Sequence, residues 1–215
     1  FQALKIILLE KVEKLGSYWL PISKNTVGID LGLTDLVVTS DGFKSGNPRH
    51  TKRYAKKLAK AQRVLSKKTK GSANFHKARH KVARIQAKIA DCRKDFTHKL
   101  TTRLINENQV ISCESLSVKN MIKNPQLAKA IADANGGEFV RQLKYKADWY
   151  GRSVVQIDKF YPSTKRCNCC GYVVDSLPLS VREWECPSCH AVLDRDINAS
   201  ANIKAVGQTV LAHGA

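Results

Sequence analysis

The chain has 215 residues, of which 43% are hydrophobic and 26% are charged. This composition is typical of a globular protein with one sizeable core and a small additional module. There is no run of 18 apolar residues and no N-terminal signal peptide, so we expect no membrane association and a cytoplasmic location. The first residue is Phe1 rather than methionine, which favours a fragment or a processed form.

The net charge of +19 is concentrated in one segment. Residues 49–103 contain 19 basic and two acidic residues, whereas the rest of the chain is nearly neutral. Such a field attracts polyanions, so the segment predicts a nucleic-acid contact. The alternative is a helical surface that lysines merely keep soluble.

The first 45 residues predict short strands. Apolar runs at 3–9 and 17–22 could form a hairpin, although the apolar spacing of 3–13 also fits a helix. In 26–45, two β-branched runs precede an Asp-Gly turn, which predicts the start of a sheet. Asp30 would end the first strand of that sheet.

The basic segment predicts two helices that pack as an antiparallel hairpin. Apolar residues form one stripe in 49–69, and those from Phe75 to Phe96 have heptad spacing. A short turn at Gly71-Ser72 joins the two helices. The residues that we expect to contact nucleic acid are Arg49, Lys52, Arg53, Lys56, Lys57, Lys60, Arg63, Lys67, Lys68, Lys77, Arg79, Lys81 and Arg84.

The second half of the chain alternates strands and helices. In order, the patterns predict a strand at 108–114, a helix at 126–150 with a break near 134–137, a strand at 153–158 and a helix at 197–206. This alternation predicts an α/β domain on a mixed sheet. Glu114 would end its strand as Asp30 ends the first one.

Paired cysteines predict a structural zinc site with the spacing C-x2-C-x15-C-x2-C. The four expected ligands are Cys167, Cys170, Cys186 and Cys189. The alternative, four unrelated core cysteines, requires two coincident spacings. Cys169 is a spare thiol that could compete as a ligand, while His190 is not expected to bind, since four cysteines already close a tetrahedral site.

Three carboxylates predict a second metal site. Phosphodiester hydrolysis commonly uses Mg²⁺ or Mn²⁺ held by a few Asp and Glu side chains, and Asp30, Glu114 and Asp196 fit this need. Taken singly, they could be a turn residue, a loop carboxylate and a helix cap. Asp194 is a weaker substitute for Asp196 and a candidate cap for the last helix.

Several motifs together resemble a known family. The motifs are Gly28-Ile-Asp30-Leu-Gly-Leu, Ser112-Cys-Glu114-Ser-Leu, Gly137 to Gly151, Lys159 to Cys170 with its Tyr-Pro-Ser-Thr-Lys run, Trp184 to Cys189, and Asp194-Arg-Asp196-Ile-Asn-Ala. The carboxylate motifs resemble the three parts of a split RuvC nuclease domain, and the cysteine motifs resemble its zinc ribbon. Over residues 26–206, the chain is similar to the TnpB (OrfB) proteins encoded by bacterial and archaeal insertion sequences.

The resemblance implies an RNase H-like fold that cleaves target DNA under the direction of a guide RNA. It assigns Asp30, Glu114 and Asp196 as catalytic residues that hold Mg²⁺ or Mn²⁺, and the four paired cysteines as zinc ligands. Family members also carry a further N-terminal region, of which this chain would retain at most the last strands. The resemblance therefore implies three parts: a remnant of the β domain at 1–25, a RuvC-like domain at 26–206 and a tail at 207–215. Two insertions interrupt the RuvC-like domain, a basic helical hairpin at 48–106 and a zinc ribbon at 162–193.

Three alternatives to guided cleavage stay open. The chain could bind nucleic acid under guidance without cutting it, although all three carboxylates are present. It could be a DNA-binding accessory of transposition that acts through its zinc ribbon. It could also be a transposase, because strand joining and strand cleavage use similar carboxylates.

Overall fold

The computed structural model describes residues 20–212. The hairpin predicted at 3–9 and 17–22 lies outside these residues except for 20–22, which are not part of a strand. The expectation of a domain remnant at 1–25 falls largely outside them as well. No helix of the described part is both long and apolar enough to cross a membrane.

The elements alternate between strands and helices, as the sequence predicts. In chain order they are β1 (Thr26–Asp30), β2 (Val38–Thr39), α1 (His50–Ser66), α2 (Ala73–Glu107), β3 (Val110–Glu114), α3 (Val118–Met121), α4 (Ala128–Ala134), α5 (Gly136–Tyr150), β4 (Ser153–Ile157), β5 (Glu183–Glu185), β6 (Val192–Asp194) and α6 (Arg195–Ala212). The predicted break in the 126–150 helix lies at Asn135, which has a left-handed backbone with φ of 58°.

A four-stranded mixed sheet forms the centre of the molecule, in the order β2-β1-β3-β4. β1, β3 and β4 are parallel, and β2 is antiparallel to β1. Ile29 lies opposite Cys113, and Glu114 lies opposite Ile157. The carboxyl ends of the three parallel strands therefore meet at one edge, which we call the carboxylate edge. The predicted mixed α/β architecture is confirmed.

The two faces of the sheet are covered by different helices. Val27 and Ile29 point into the main core, which includes Leu104 of α2 and Phe139 of α5. Because side chains alternate along a strand, Gly28 points to the other face, where α6 lies. A Cβ on Gly28 would come within 2.0 Å of the Ser200 carbonyl oxygen, so α6 approaches the sheet backbone directly.

The basic segment forms the predicted helical hairpin of α1 and α2. The apolar seam from Phe75 to Phe96 is buried or half-buried, and Ser72 caps α2 by accepting a hydrogen bond from the backbone N–H of Phe75 at 3.1 Å. α2 continues beyond the hairpin into the main core, where Leu100, Leu104 and Ile105 are buried. One rigid helix thus connects the basic surface to the sheet.

The cysteine segment forms a small module between β4 and α6. β5 and β6 pair in antiparallel fashion, and a second core contains Cys167, Trp184 and Cys186. β6 ends at Asp194, and α6 begins at the next residue. The last helix therefore starts two residues before the predicted boundary at Ile197, because its first turn is polar and carries no apolar signal.

Candidate functional site

The sheet and α6 bring three carboxylates to the carboxylate edge. Asp30 and Glu114 end adjacent parallel strands and, by alternation, point to the same face as Gly28 and Ser112, the face that α6 covers. Asp196 lies in the first turn of α6. All three are partly buried. The topology thus gathers three acidic residues that are spread over more than 160 positions of the sequence.

The electrostatics of the cluster show how closely these carboxylates interact. Burial and, to a smaller extent, the negative charges of Glu114 and Asp196 together raise the pKa of Asp30 from 3.8 to about 7. The backbone N–H of Leu31 and the charge of Arg195 oppose this rise only in part. A bound cation would relieve the repulsion, so the cluster has the charge distribution of a cation site.

The carboxylates are spread more widely than the ligands of a single closed ion site. Among the described residues, the four paired cysteines are the only group of three or more His, Cys, Asp or Glu whose ligand atoms all lie within 4.8 Å of one another. A pair of divalent ions about 4 Å apart, with substrate oxygens as further ligands, suits a more open set of carboxylates.

Glu114 is held by a serine to which the sequence analysis gave no role. The Oγ of Ser163 donates a hydrogen bond to Oε1 of Glu114. Ser163 is buried, and its carbonyl oxygen accepts a 2.8 Å hydrogen bond from Nδ2 of Asn202 on α6. The only sequence signal for Ser163 was its place in the Tyr-Pro-Ser-Thr-Lys run.

Asp194 fixes the backbone that carries Asp196. Its Oδ1 accepts hydrogen bonds from the N–H groups of Asp196 and Ile197, each at 3.0 Å, as expected for a helix cap. Its Oδ2 lies 2.6 Å from Nζ of Lys44, which comes from the hairpin after β2. The structure thus supports the capping interpretation of Asp194, and Lys44 is a contact that the sequence analysis missed.

Asp196 also faces an arginine from the cysteine module. Nη1 of Arg182 lies 3.4 Å from Oδ2 of Asp196, and Nη2 lies 3.4 Å from Oγ1 of Thr34 in the loop after β1. Arg182 is more than half exposed. An exposed guanidinium next to a carboxylate is a suitable partner for a phosphate.

The four paired cysteines have the geometry of a tetrahedral metal site. The Sγ atoms of Cys167 and Cys189 are 3.7 Å apart, and those of Cys170 and Cys186 are 3.6 Å apart. Zinc–sulfur bonds of about 2.3 Å in a tetrahedron give sulfur–sulfur distances of about 3.8 Å, whereas a disulfide bond is about 2.05 Å long. The set could therefore bind zinc. The spare thiol, Cys169, is exposed and outside this group.

The protonation of these thiols is tightly linked. A backbone hydrogen bond from Tyr172, with smaller contributions from the other three thiols, lowers the pKa of Cys170 to about 7 against the opposing effect of burial. The backbone N–H of Ala191 favours the thiolate of Cys189, yet burial and the three neighbouring thiols raise its pKa to about 12. Four thiols this close release their protons one after another, and a metal ion would favour the release of all of them.

Two positions after the cysteine pairs have equivalent backbone geometry. The N–H groups of Gly171 and His190 donate to the carbonyl oxygens of Cys167 and Cys186, both at 2.9 Å. Both residues have positive φ, 81° for Gly171 and 58° for His190. The side chain of His190 points away to Glu185, with Nδ1 2.9 Å from its Oε1. His190 is therefore a turn residue, as expected for a side chain that binds no metal.

All thirteen basic residues predicted to contact nucleic acid are exposed. In the described part of the chain, none of the thirteen forms an ion pair. A cleft of about 540 Å³ extends from Arg49 and Lys52 at the base of the hairpin to Leu33 and Thr34. Since Thr34 also contacts Arg182 beside Asp196, basic surface and carboxylates adjoin one another.

Comparison with known proteins identifies the family. A family model named OrfB_IS605 and described as "Probable transposase" matches residues 16–125. The chain belongs to the OrfB family of insertion-sequence proteins, also called TnpB. A second model, the Cas12f1-like TNB domain, matches residues 137–203 of this OrfB protein, which include all four paired cysteines and Asp196.

Relatives of this OrfB chain are longer than the chain itself. It is 53% identical over 194 residues to a Streptomyces pristinaespiralis protein that is provisionally named an RNA-guided DNA endonuclease, covering 90% of the chain and 48% of the relative. InsQ of Escherichia coli, with the same provisional name, is 34% identical over 89% of the chain and 51% of its own length. The chain thus spans about half the length of these relatives.

A solved structure supports the fold. The Cas12f1 protein in a cryo-EM complex with single guide RNA and target DNA matches with a TM-score of 0.61 and 16% identity. The match covers 87% of this chain and 40% of the Cas12f1 chain. The OrfB chain therefore shares its fold with part of Cas12f1.

Proposed function

We propose that this chain is the nuclease portion of an RNA-guided DNA endonuclease encoded by an insertion sequence. The observation that carries the proposal is the convergence of Asp30, Glu114 and Asp196, whose mutual repulsion contributes to the raised pKa of Asp30, about 7. The provisional names of two relatives agree with it. The domain would be RNase H-like, in the manner of RuvC, and would act in the cytoplasm of a bacterium or archaeon.

The three carboxylates would hold Mg²⁺ or Mn²⁺. Divalent ions at such a site activate water and stabilise the leaving oxygen of a phosphodiester. Two neighbouring residues would hold these ligands in position. Ser163 would orient Glu114 through its hydrogen bond, and Asp194 would fix the turn that carries Asp196. Arg182 would neutralise the phosphate as it arrives next to Asp196.

The four paired cysteines would hold a structural zinc ion in a ribbon at 162–193. Four thiolates leave no open coordination position, so this ion would support the fold and not the chemistry. The ribbon leads directly into Asp194 and α6. Its stability therefore bears on the position of Asp196.

The basic hairpin within 48–106 would bind the backbone of the guide–target duplex or of the displaced DNA strand. Its thirteen exposed, unpaired cations suit phosphates, which fix position without reading sequence. Guide RNA and target DNA would thus be the partners of the nuclease domain at 26–206. Residues 1–25 would be the end of an N-terminal β domain. The expected tail at 207–215 is too long, because α6 continues to Ala212 and Gly207 is buried against Ser112 of β3.

A cleavage assay tests the proposal. The protein is supplied with guide RNA, labelled target DNA and Mg²⁺ or Mn²⁺, and Asp30→Ala and Asp196→Ala are compared with wild type. Each variant should lose at least about 100-fold in rate, since loss of a metal ligand removes stabilisation present in the transition state. Asp148→Ala, an exposed carboxylate on α5, is the matched control. Unchanged cutting by both site variants would show the assignment to be wrong.

The alternatives make different predictions in the same assay. A guided binder would shift the DNA in a gel without cutting it, and a zinc-ribbon accessory would bind without needing the guide. A transposase would produce joined strands in addition to cut ones. The retention of all three carboxylates favours an enzyme over both binders.

A further inference from the structure

The loop between β4 and the cysteine module lies directly at the carboxylate edge. It consists of residues 158–163, and we call it the rim loop. β4 ends at Ile157, which is paired with Glu114. At the other end of the loop, Ser163 donates a hydrogen bond to the same glutamate. Both ends of this six-residue loop are therefore anchored at a proposed catalytic residue.

The rim loop presents an aromatic ring to solvent. Phe160 is 80% exposed, more than any other Phe, Tyr or Trp in residues 20–212. Its N–H donates to Oδ1 of Asp158 at 2.7 Å, and the N–H of Tyr161 donates to the carbonyl oxygen of Asp158 at 3.2 Å. These bonds form a tight turn, so the ring is exposed by an ordered backbone and contributes nothing to either core.

One face of the ring is available for a ligand. Nζ of Lys159 lies 4.5 Å from the centroid of the Phe160 ring and covers one side. Three peptide units separate Phe160 from Ser163, so their Cα atoms are within about 11 Å of each other. A strand whose phosphate lies at the carboxylates would pass within a few nucleotides of this ring.

We propose that Phe160 is a positioning residue that stacks on an unpaired base of the DNA strand to be cleaved. Lys159 would bind a neighbouring phosphate of that strand. An aromatic face suits any base, whereas a base inside a duplex has both of its faces covered by its neighbours. The inference rests on the proposed nuclease site and adds a requirement: the strand must be unpaired where it crosses the rim loop.

The test measures binding without cleavage, with no Mg²⁺ or Mn²⁺ added so that the zinc stays bound, by fluorescence anisotropy of a labelled single-stranded DNA. One abasic site is moved along the strand, position by position. For the wild-type protein, one or two positions should weaken binding by about 5- to 150-fold, the range for loss of a single stacked base. In Phe160→Ala, the same abasic sites should have no further effect, and Phe160→Trp should restore the wild-type pattern.

Trp149→Ala is the matched control. Trp149 is 60% exposed and lies at the end of α5 that precedes β4, on the edge of the sheet opposite the carboxylates. This variant should keep the wild-type abasic pattern. An RNA strand of the same sequence forms a second arm, which tests the assignment to a DNA strand.

The outcomes separate this inference from the proposed function. An abasic pattern that is unchanged in Phe160→Ala, or absent from the wild-type protein, overturns the stacking role even if guided cleavage is observed. A pattern seen with RNA but not with DNA overturns the assignment to the DNA strand. Conversely, a Phe160-dependent pattern in a protein that never cuts DNA supports the stacking role and counts against the nuclease.

Discussion

Replacing Asp30 by asparagine should stabilise the protein when no Mg²⁺ or Mn²⁺ is bound at the carboxylates. The carboxylate of Asp30 is held among apolar strand residues and next to Glu114 and Asp196, and these surroundings raise its pKa to about 7. Asparagine has nearly the same shape and no charge. The substitution therefore removes a repulsion that the folded state must tolerate when no cation is bound.

The size of the effect follows from the pKa shift. A rise from 3.8 to about 7 corresponds to about 4 kcal/mol at 1.36 kcal/mol per unit. Since Asp30 keeps some contact with solvent, we reduce this to about 2 kcal/mol in unfolding free energy. For a chain of this size, that is a rise of about 4–8 °C in the melting temperature.

The direction of the pKa shift determines the pH range over which the stability changes. The folded state binds the Asp30 proton more tightly than the unfolded state, so the wild-type protein loses stability as pH rises from about 4 to 7. Above pH 7 to 8, the loss is complete and constant. The stability gap between Asp30→Asn and wild type should therefore be small at pH 4.5, grow up to pH 7 and then stay level.

Urea unfolding followed by circular dichroism measures this gap at pH 4.5, 6, 7 and 8, with no Mg²⁺ or Mn²⁺ added. Asp148→Asn, on the exposed face of α5, is the control and should match wild type at each pH. Added Mn²⁺ should stabilise wild type more than Asp30→Asn and narrow the gap. The reasoning fails if Asp30→Asn is the less stable protein at pH 8 without added Mg²⁺ or Mn²⁺, or if the stability gap does not change with pH.

Three further predictions concern the rest of the chain. The protein should contain about one zinc per chain by elemental analysis, and Cys186→Ser should lose it; a zinc-free wild type would remove the ribbon hypothesis. His190→Gly should stabilise the zinc-loaded protein by about 0.5–1 kcal/mol in urea unfolding, because glycine adopts positive φ without strain; a loss of stability would contradict this. Binding to duplex DNA should weaken by about 10³-fold or more between 50 and 200 mM salt, and an affinity insensitive to salt would exclude the hairpin as the contact surface.

The strand ends of the site were predictable from the sequence. A run of β-branched residues that stops at Asp30, and another that stops at Glu114, place both carboxylates at strand ends. Parallel pairing then brings them to the same edge. The clustering of the four paired cysteines was also predictable from their spacing. Each C-x2-C turn brings two sulfurs together, and the two turns meet in the structure.

Contacts between distant polar residues were not predictable. α2 continues past its heptad seam because the helix changes partners there, from α1 to α5. At this point the buried residues are polar: Thr101 Oγ1 donates to the carbonyl oxygen of Thr97 at 2.8 Å and receives a 2.8 Å hydrogen bond from Nζ of Lys146. Polar residues in a core break the apolar period on which sequence interpretation depends.

The residues that orient the carboxylates escaped prediction for the same reason. A serine in a loop or a lysine after a turn has no periodicity and can face in any direction. Lys44 and Asp194 are 150 positions apart, and only the packing of the β2 hairpin against the start of α6 brings them to 2.6 Å. Sequence patterns thus indicate candidate ligands more readily than the residues that hydrogen-bond to those ligands.

A chain of hydrogen bonds links the proposed zinc site to the proposed catalytic carboxylates. Asn202 of α6 donates to the carbonyl oxygens of Arg166 and Ser163, at 2.6 and 2.8 Å. Arg166 precedes the proposed zinc ligand Cys167, and the hydroxyl of Ser163 donates a hydrogen bond to Glu114. Loss of zinc should therefore free the segment that orients Glu114.

Ser163→Ala separates this coupling from simple unfolding. The variant should keep its zinc and its fold yet need a several-fold higher Mn²⁺ concentration for half-maximal cleavage, because Glu114 loses the hydrogen bond that orients it. Ser163→Thr, which keeps the hydroxyl, should recover most of the wild-type value. Cys186→Ser should raise the Mn²⁺ requirement as well, but with loss of zinc. An unchanged Mn²⁺ requirement in Ser163→Ala would mean that Glu114 is positioned without the ribbon, and that the two metal sites are independent.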